Sequence, residues 1–262
     1  MTWGLLAEFV APTTKDFVWP CWGGGFRILG FSFCLNFIIF LVLLSFAAFL
    51  LLFYLAFRQP KIVPSGLQNV MEVGILFVRD NIARPMIGPE GDRFMPLLST
   101  LFFFIFLGNI LEVIPGVNFS ANSRIAFPLI LAMVSWVTFN VVGIKQHGFI
   151  GYLKHVMLPP GAPLWLYPLL VPIEFITQIV IRPITLSVRL AANLLAGHFL
   201  LAVFFLGTIA LLQSGILAIV GVFAFALSVV LVGFEIFVSI LQAFIFAILT
   251  ASYIGGALAE EH

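Results

Sequence analysis

Charge is scarce in this chain. Of its 262 residues, 12 are lysine or arginine and 11 are aspartate or glutamate, together 9%. A soluble domain usually carries about 25% charged residues, so this composition argues against a soluble protein. The hydrophobic fraction of 62% indicates instead a chain whose natural solvent is lipid. The net charge of +1 gives no electrostatic basis for binding nucleic acid, and none is expected as a partner.

Cysteine is nearly absent as well. The two that exist, Cys21 and Cys34, do not suggest a disulfide framework. The first residues contain Glu8 and no basic cluster, which is unlike a secretory signal peptide. We predict no metal site and no cofactor.

What the chain has in abundance is long apolar runs. Backbone groups in lipid must be paired internally, so a spanning segment is a helix or belongs to a closed barrel. The runs lack the alternation of barrel strands, so the predicted fold is all-α, a polytopic membrane protein with about five transmembrane helices. The predicted segments are an extracytoplasmic leader at 1–30, span 1 at 31–57, an amphipathic helix at 65–84, span 2 at 94–114, span 3 at 125–144, and long helices at 167–212 and 216–258.

The segment 65–84 has apolar residues on one side and polar residues on the others. This pattern favours a helix lying at the membrane surface over a span. A helix packed on another subunit has a similar pattern, and both readings stay open.

The last third of the chain is almost uninterrupted apolar sequence, with its natural turn at Gln213-Ser214-Gly215. Two helices of about 40 residues would each be about 60 Å long, so they must tilt strongly in a core about 30 Å thick. Four ordinary spans broken near Pro183 and Gly233 are the alternative. That alternative would place polar turns where the sequence offers almost none.

Basic residues set the expected orientation. They concentrate in the loops 58–93 and 145–166, which fall on the same side of five spans. The positive-inside rule places these loops in the cytoplasm, with the N-terminus outside and the C-terminus inside.

Polar residues inside the long helices need an explanation, because a charge at membrane depth costs about 2.5–3.5 kcal/mol. On the first long helix they recur at steps of three or four, which predicts a polar stripe on one side: Glu174, Gln178, Arg182, Thr185, Arg189 and Asn193. On the second long helix Glu235, Ser239 and Gln242 share a face.

Folding the two helices into an antiparallel pair places Arg189 near the middle of the membrane. His198 and Glu235 lie on its outer side, and Arg182 and Glu174 lie on its cytoplasmic side. His198 follows Arg189 by nine positions, which predicts opposite helix faces. Glu112 and Asn109 are further candidates for the outer path, and Arg182 and Gln178 for the inner one.

Each of these residues also has a purely structural interpretation. Arg189 fits an ion pair with a neighbouring helix, and His198 a hydrogen-bonded core histidine. Gln242 and Asn193 are typical of interhelical hydrogen bonds. Arg182 fits a snorkelling charge and Glu112 a residue at head-group level.

The residue types suit proton transfer. Imidazole titrates near neutral pH, carboxylates in apolar surroundings can exchange protons, and a guanidinium stays charged. A fixed cation between two proton-accessible vestibules repels protons and favours ionisation of a carboxylate that passes nearby. The pattern predicts two half-channels separated by an electrostatic barrier.

Two segments carry a resemblance to a known family. The sequence is similar to the a subunit of F-type ATP synthases in RPITLSVRLAANLLAGH (182–198) and LQAFIFAILTASYIGGALAEEH (241–262). Upstream, GNILEVIPG (108–116) is only loosely similar. Ala191-Ala192 departs from the bulky aromatic residue that often stands there in the family.

The resemblance implies roles for particular residues. Arg189 matches the essential stator arginine that faces the carboxylates of a rotating c-ring, with Asn193 and Gln242 as its polar neighbours. His198 and Glu235 match the outer pair, with histidine and acid exchanged between the helices relative to some members.

Glu174 matches an acidic position toward the cytoplasmic half-channel. The family function is proton translocation coupled to ATP synthesis or hydrolysis by a separate catalytic head. The implied partners are the c-ring, the peripheral-stalk subunit b, the rest of the complex and the lipid bilayer.

The chain has no glycine-rich loop followed by Lys-Ser/Thr, so we expect a non-catalytic, ion-conducting subunit. A self-contained proton-coupled secondary transporter and a structural membrane scaffold are the competing hypotheses. The transporter predicts internal repeats, and none appears in the sequence.

Overall fold

The structure, a computed structural model, describes residues 26–28, 31–33, 36–114, 125–158, 166–213 and 215–259. Most of the predicted leader lies outside these ranges, as do Cys21 and Cys34. The expectations for those residues stay predictions.

Within these ranges the fold is helical, as predicted, and five of the described helices are long and apolar enough to cross a membrane. The described elements, in chain order, are β1 Phe26–Ile28, β2 Phe31–Phe33, α1 Phe37–Phe57, α2 Leu67–Val78, α3 Arg84–Ile87, α4 Met95–Ile110, α5 Ala126–Met157, α6 Tyr167–Ile176, α7 Arg182–Leu212 and α8 Ala218–Leu258. The two short strands pair antiparallel with each other.

The first membrane helix begins later than the apolar run that predicts it. Residues 31–33 belong to β2, and α1 starts at Phe37. The Asn36 side chain accepts a hydrogen bond from the backbone N–H of Ile39 at 3.1 Å, which satisfies one of the unpaired donors at the helix start. The 21 residues of α1 then span about 30 Å, the thickness of a bilayer core.

The amphipathic segment packs on its own chain. Val78 and Ile82 are fully buried in the core that α4 and α8 share. Val70 and Val73, by contrast, are 65% and 57% exposed, so α2 also has an outward apolar side. The chain then reverses into α4, and this reversal is held by Arg84, whose guanidinium donates two hydrogen bonds to the carboxylate of Asp92 at 3.0 and 3.1 Å.

The third membrane helix extends beyond the predicted span. Helix α5 runs to Met157, with a kink at Gly148, where φ is 71° and ψ is 164°. This backbone conformation is open almost only to glycine. The kink turns the last part of α5 back along the first, so the ring of Tyr152 lies directly against Gly143.

Two long helical segments close the fold. The first is continuous from Tyr167 to Leu212, 46 residues, and the second is the 41-residue α8. Pro183 and Gly233 lie inside these helices, so the four-span alternative does not describe the structure. The tilt of the pair relative to a bilayer stays a prediction.

Small residues let α8 approach its neighbours closely. Ala243, Ala247 and Ala251 are all 0% exposed on α8, which is typical of helix contacts in membranes. The Thr250 hydroxyl donates a hydrogen bond to Ser135 on α5 at 3.1 Å. The resulting core places α7 and α8 side by side, with α4 and α5 behind them.

Candidate functional site

Arg189 lies on the outer surface of the bundle. It is an exposed residue of α7, and its neighbours Val188 and Ala192 are exposed too. Its guanidinium forms no ion pair and no hydrogen bond with any residue that the structure describes. The alternative of an ion pair with a neighbouring helix of this chain therefore finds no support among those residues.

A cluster of acidic and basic groups lies on the other face of α7, toward α4. His198 Nδ1 is 3.6 Å from Glu112 Oε1, and the two side chains are 14% and 2% exposed. Asn109, one helical turn before Glu112, is completely buried. Glu112 follows the end of α4, and its buried side chain points into the bundle.

Glu235 joins this cluster from α8. Its side chain is 4% exposed and lies within electrostatic range of Glu112. A Cβ atom at Gly197 would lie 2.5 Å from both carboxylate oxygens of Glu235, so only glycine leaves room for them. We call Asn109, Glu112, His198 and Glu235 the outer cluster.

The polar face of α8 continues along the helix from Glu235 toward its C-terminus. Ser239 and Gln242 are 2% and 4% exposed, so three polar residues at helical spacing are buried on one side of α8. Asn193 on α7 is half-buried, one turn after Arg189. The structure therefore turns Gln242 inward and Arg189 outward.

A second polar cluster lies at the other end of α7. Gln178 Nε2 donates to the Tyr152 hydroxyl at 2.8 Å, and that hydroxyl donates to Asn140 Oδ1 at 3.1 Å. Asn140 Nδ2 donates to the Trp136 carbonyl at 2.7 Å, and Trp136 Nε1 donates to the Gln178 carbonyl at 2.9 Å. These four residues form a closed ring of hydrogen bonds between α5 and the long helix.

A π-helical turn explains why the Gln178 carbonyl needs a side-chain partner. Residues Thr177–Ile181 form this turn, and the Arg182 N–H bonds to the carbonyl of Thr177. In the same pattern the Gln178 carbonyl would pair with residue 183, but Pro183 has no N–H. The Trp136 indole donates in its place.

Arg182 lies next to this ring, over aromatic side chains. Its guanidinium carbon is 4.9 Å from the ring centre of Tyr253 and 6.0 Å from that of Phe139. Cation–π contacts of this kind stabilise a charge in apolar surroundings. A cavity of about 350 Å³ opens here, lined by residues that include Tyr152, Gln178, Arg182 and Tyr253. We call Trp136, Asn140, Tyr152, Gln178, Arg182 and Tyr253 the inner cluster.

The predicted stripe does not keep to one side of the helix. Gln178 is 5% exposed and faces α5, whereas Thr185 and Arg189 are exposed. The prediction was wrong here because it assumed uniform α-helical rotation. The π turn holds one extra residue, which changes the phase of the helix by about 100°. Glu174, upstream of this turn, is half-buried and has no ion pair with any described residue.

Sequence reasoning missed several members of the inner cluster. Tyr152 was placed in a connection, because the apolar run of span 3 ends before it. Tyr253, in the last helix, has no feature in the sequence that singles it out. The available signals were Asn140, a polar residue inside span 3, and Gly148, the residue at which α5 turns back.

The fold and these two clusters define a class of protein: a polytopic helical membrane protein with ionisable groups buried at the depth of its spans. The protein family described as the ATP synthase A chain matches residues 37–255. The chain belongs to this family.

Individual relatives align with most of the length of this chain. The chain is 44% identical over 259 residues to ATP synthase subunit a of Rhodococcus erythropolis, covering 97% of this chain and 93% of the relative. It is 42% identical over 261 residues to ATP synthase subunit a of a Nocardioides species, covering 97% and 95%. It is 40% identical over 220 residues to that of Gluconobacter oxydans, covering 84% and 86%.

Proposed function

We propose that this chain translocates protons through two offset half-channels at the surface of a rotating c-ring, and so couples a proton gradient to ATP synthesis or hydrolysis. One observation carries the proposal. An exposed guanidinium without a partner among the described residues, Arg189, lies along α7 between two buried polar clusters. A charge left open on an apolar surface implies an ionised partner beyond the described residues, which we place on the c-ring.

Distances along the helix support two half-channels that are offset from each other along its axis. Arg189 lies about 14 Å from the level of His198 and about 16 Å from that of Gln178, at 1.5 Å per residue. Neither cluster extends to the other along the described helices, so a proton would need a mobile carrier to pass the arginine. The carboxylates of a c-ring are suited to that role.

The arginine acts in two ways in this scheme. Its permanent charge repels protons, so water-borne leakage from one passage to the other is suppressed. It also stabilises the ionised form of a carboxylate that passes close to it. A carboxylate would then lose its proton near Arg189 and regain one from the opposite passage.

The outer cluster supplies the exchange groups on one side. His198 Nδ1 lies 3.6 Å from the buried Glu112, and the buried Glu235 lies within electrostatic range of Glu112, so an imidazole and two carboxylates are available to accept and release protons. Asn109 lines the same path. On the inner side, Gln178, Arg182 and Glu174 line the passage to the cytoplasm, while Asn193 and Gln242 flank the arginine.

The remaining partners follow from this role. The c-ring covers the Arg189 face, the peripheral-stalk subunit b contacts the chain in the membrane, and the ATP chemistry occurs in a separate head. The matched relatives come from bacteria. We therefore place the chain in a bacterial plasma membrane, with its N-terminus outside and its C-terminus in the cytoplasm.

The test uses the assembled complex in inverted membrane vesicles. Arg189→Ala is expected to abolish ATP-driven acidification of the vesicle lumen, while Arg189→Lys keeps a residual rate because it keeps the charge. Arg58→Ala, at the exposed end of α1, is the matched control and retains pumping. Full pumping by Arg189→Ala would contradict the proposal.

A second measurement distinguishes the proposed function from that of a self-contained transporter. The purified chain alone, in liposomes with an imposed pH gradient, is expected to move no solute. Solute uptake driven by the gradient without a c-ring would favour a self-contained transporter.

A further inference from the structure

We infer that this chain has a binding site for an anionic phospholipid between α4 and α5. Arg93 and Lys145 hold the phosphate of the head group, and an acyl chain lies along an exposed apolar face of α5. None of the residues of this site belongs to the outer or the inner cluster, and the inference goes beyond the proposed function.

A cavity of about 450 Å³ opens between the turn that leads into α4 and the part of α5 before its kink. Its volume lies in the range of about 300–1,000 Å³ that is typical of ligand sites. Charged, amide and apolar side chains line it together: Arg93, Phe94, Val141, Val142, Lys145 and Gln146. A mixed lining of this kind suits an amphiphilic ligand.

The cavity lies where two apolar segments end. Arg93 comes directly before the predicted span at 94–114, and Lys145 comes directly after the predicted span at 125–144. Because both side chains line one cavity, the two span ends lie at the same level of the membrane. The cavity therefore opens at the level of the lipid head groups.

Both basic side chains lack an acidic partner within the described part of the chain. Arg93 and Lys145 are exposed, and neither forms an ion pair with a residue that the structure describes. Asp92, the nearest acid in sequence, accepts two hydrogen bonds from Arg84 at 3.0 and 3.1 Å. The cavity thus carries two positive charges that no described carboxylate neutralises, which favours an anionic ligand.

The Arg93 guanidinium is held in place by an aromatic ring. Its central carbon is 5.1 Å from the ring centre of Phe94, and Phe94 is 8% exposed and packs in the core. This cation–π contact steadies the charge and leaves N–H groups available. A guanidinium can donate two parallel hydrogen bonds to a phosphate, and the Lys145 ammonium adds a second positive charge.

An apolar face of α5 leads away from the cavity. Exposed residues recur at steps of three or four and end at Lys145, so they lie on one side of the helix: Ile130, Val134, Val137 and Val141. The face is about 22 Å long at 1.5 Å per residue, whereas one leaflet of the bilayer core is about 15 Å thick. It is long enough to contact an acyl chain over its whole length.

The combination of features indicates a lipid. An exposed apolar face is ordinary for a membrane helix, but this one ends at a cavity with two cations. Basic pockets between membrane helices on the cytoplasmic side are typical sites for anionic head groups. The positive-inside rule predicts that the loops containing Arg93 and Lys145 lie on that side.

Photocrosslinking in the assembled complex tests the site. The complex is placed in nanodiscs that contain equal amounts of phosphatidylglycerol and phosphatidylcholine, and p-benzoylphenylalanine replaces Val137, which lies on the apolar face but outside the cavity. Mass spectrometry then counts the two lipids attached at this position. Phosphatidylglycerol is expected to exceed phosphatidylcholine about 25-fold, at about fivefold for each basic residue.

Charge variants show whether the two cations cause this preference. Arg93→Gln and Lys145→Gln should each lower the ratio about fivefold, and the double variant should give equal yields of the two lipids. Arg93→Lys should keep the preference. The matched control is Lys61→Gln with Lys154→Gln, which removes the same charge from the same two loops but leaves the cavity intact.

Two results would overturn the inference. One is an equal yield of both lipids with the unmodified cavity, a measurement that does not depend on whether any charge variant assembles. The other is the same loss of preference in the control pair as in the variant lacking Arg93 and Lys145, because a general surface charge would then explain the result.

Two other occupants give different outcomes. Inorganic phosphate added to the nanodiscs should leave the ratio unchanged, because the acyl chain adds contacts that a free ion lacks. If inorganic phosphate removes the preference, the site binds the ion and the lipid assignment is wrong. Crosslinks from position 137 to another subunit, in place of lipid, would also overturn it. None of these measurements uses pumping, so their result is separate from that of Arg189→Ala.

Discussion

The Glu235 carboxylate occupies the space that a side chain at Gly197 would fill. A Cβ at Gly197 would lie 2.5 Å from each carboxylate oxygen and 2.7 Å from Cδ. The glycine thus brings an acid of α8 against the backbone of α7, one residue from His198. This contact brings the acid of α8 into the outer cluster.

Gly197→Ala is expected to displace the Glu235 carboxylate, because the end of a flexible side chain moves more easily than a helix backbone. ATP-driven proton pumping should fall at least about tenfold, since misplacements near 1 Å are expensive at reacting groups. Gly207→Ala is the control on the same helix, because a Cβ there meets no heavy atom within 4 Å. Equal pumping by the two variants would show that the contact is not required.

His198 and Glu112 should act as a unit, because their side chains approach to 3.6 Å in a buried site. Glu112→Gln and His198→Gln are each expected to reduce pumping. The double variant is expected to pump at least as fast as the less active of the two single variants. Such non-additivity is usual for groups in contact. Glu90→Gln, an exposed acid, is the control. Fully additive losses would mean that the two residues work independently.

Gly148→Ala should destabilise the kink of α5. The glycine has φ 71° and ψ 164°, a conformation that costs another residue about 1–3 kcal/mol. The expected result is a lower thermal unfolding midpoint in detergent and loss of the Tyr152–Asn140 contact. Gly151→Ala, three residues later within the helix, should leave the midpoint unchanged or raise it slightly. The same midpoint for Gly148→Ala and the unmodified chain would refute the strain argument.

Gly255→Ala should loosen the packing of α3 on α8. A Cβ there would collide with the backbone carbonyl of Met86, which cannot rotate away. Overpacking of this kind costs about 1–3 kcal/mol, measured as a lower unfolding midpoint in detergent. Gly233→Ala on the same helix meets nothing within 4 Å and is expected to match the unmodified chain. A stable Gly255→Ala variant would mean that the α3 segment yields easily.

Some features followed from the sequence because they depend only on local order. Helical spacing predicts that Arg189 and His198 lie on opposite faces of one helix. In the structure Arg189 faces outward from the bundle and His198 faces α4. The lack of polar turns near Pro183 and Gly233 predicted the two long helices. Composition alone was enough to indicate lipid as the solvent.

Other features required the folded chain. Periodicity tells which face of a helix a residue occupies, but not which helix lies opposite that face. The contacts of Glu112 with His198 and of Gln178 with Tyr152 therefore had no signal in spacing, and neither did the phase change at the π turn. The sequence determined a membrane bundle with costly charges inside it. Tertiary packing decided which of those charges meet, because only the approach of separate helices brings their side chains within bonding distance.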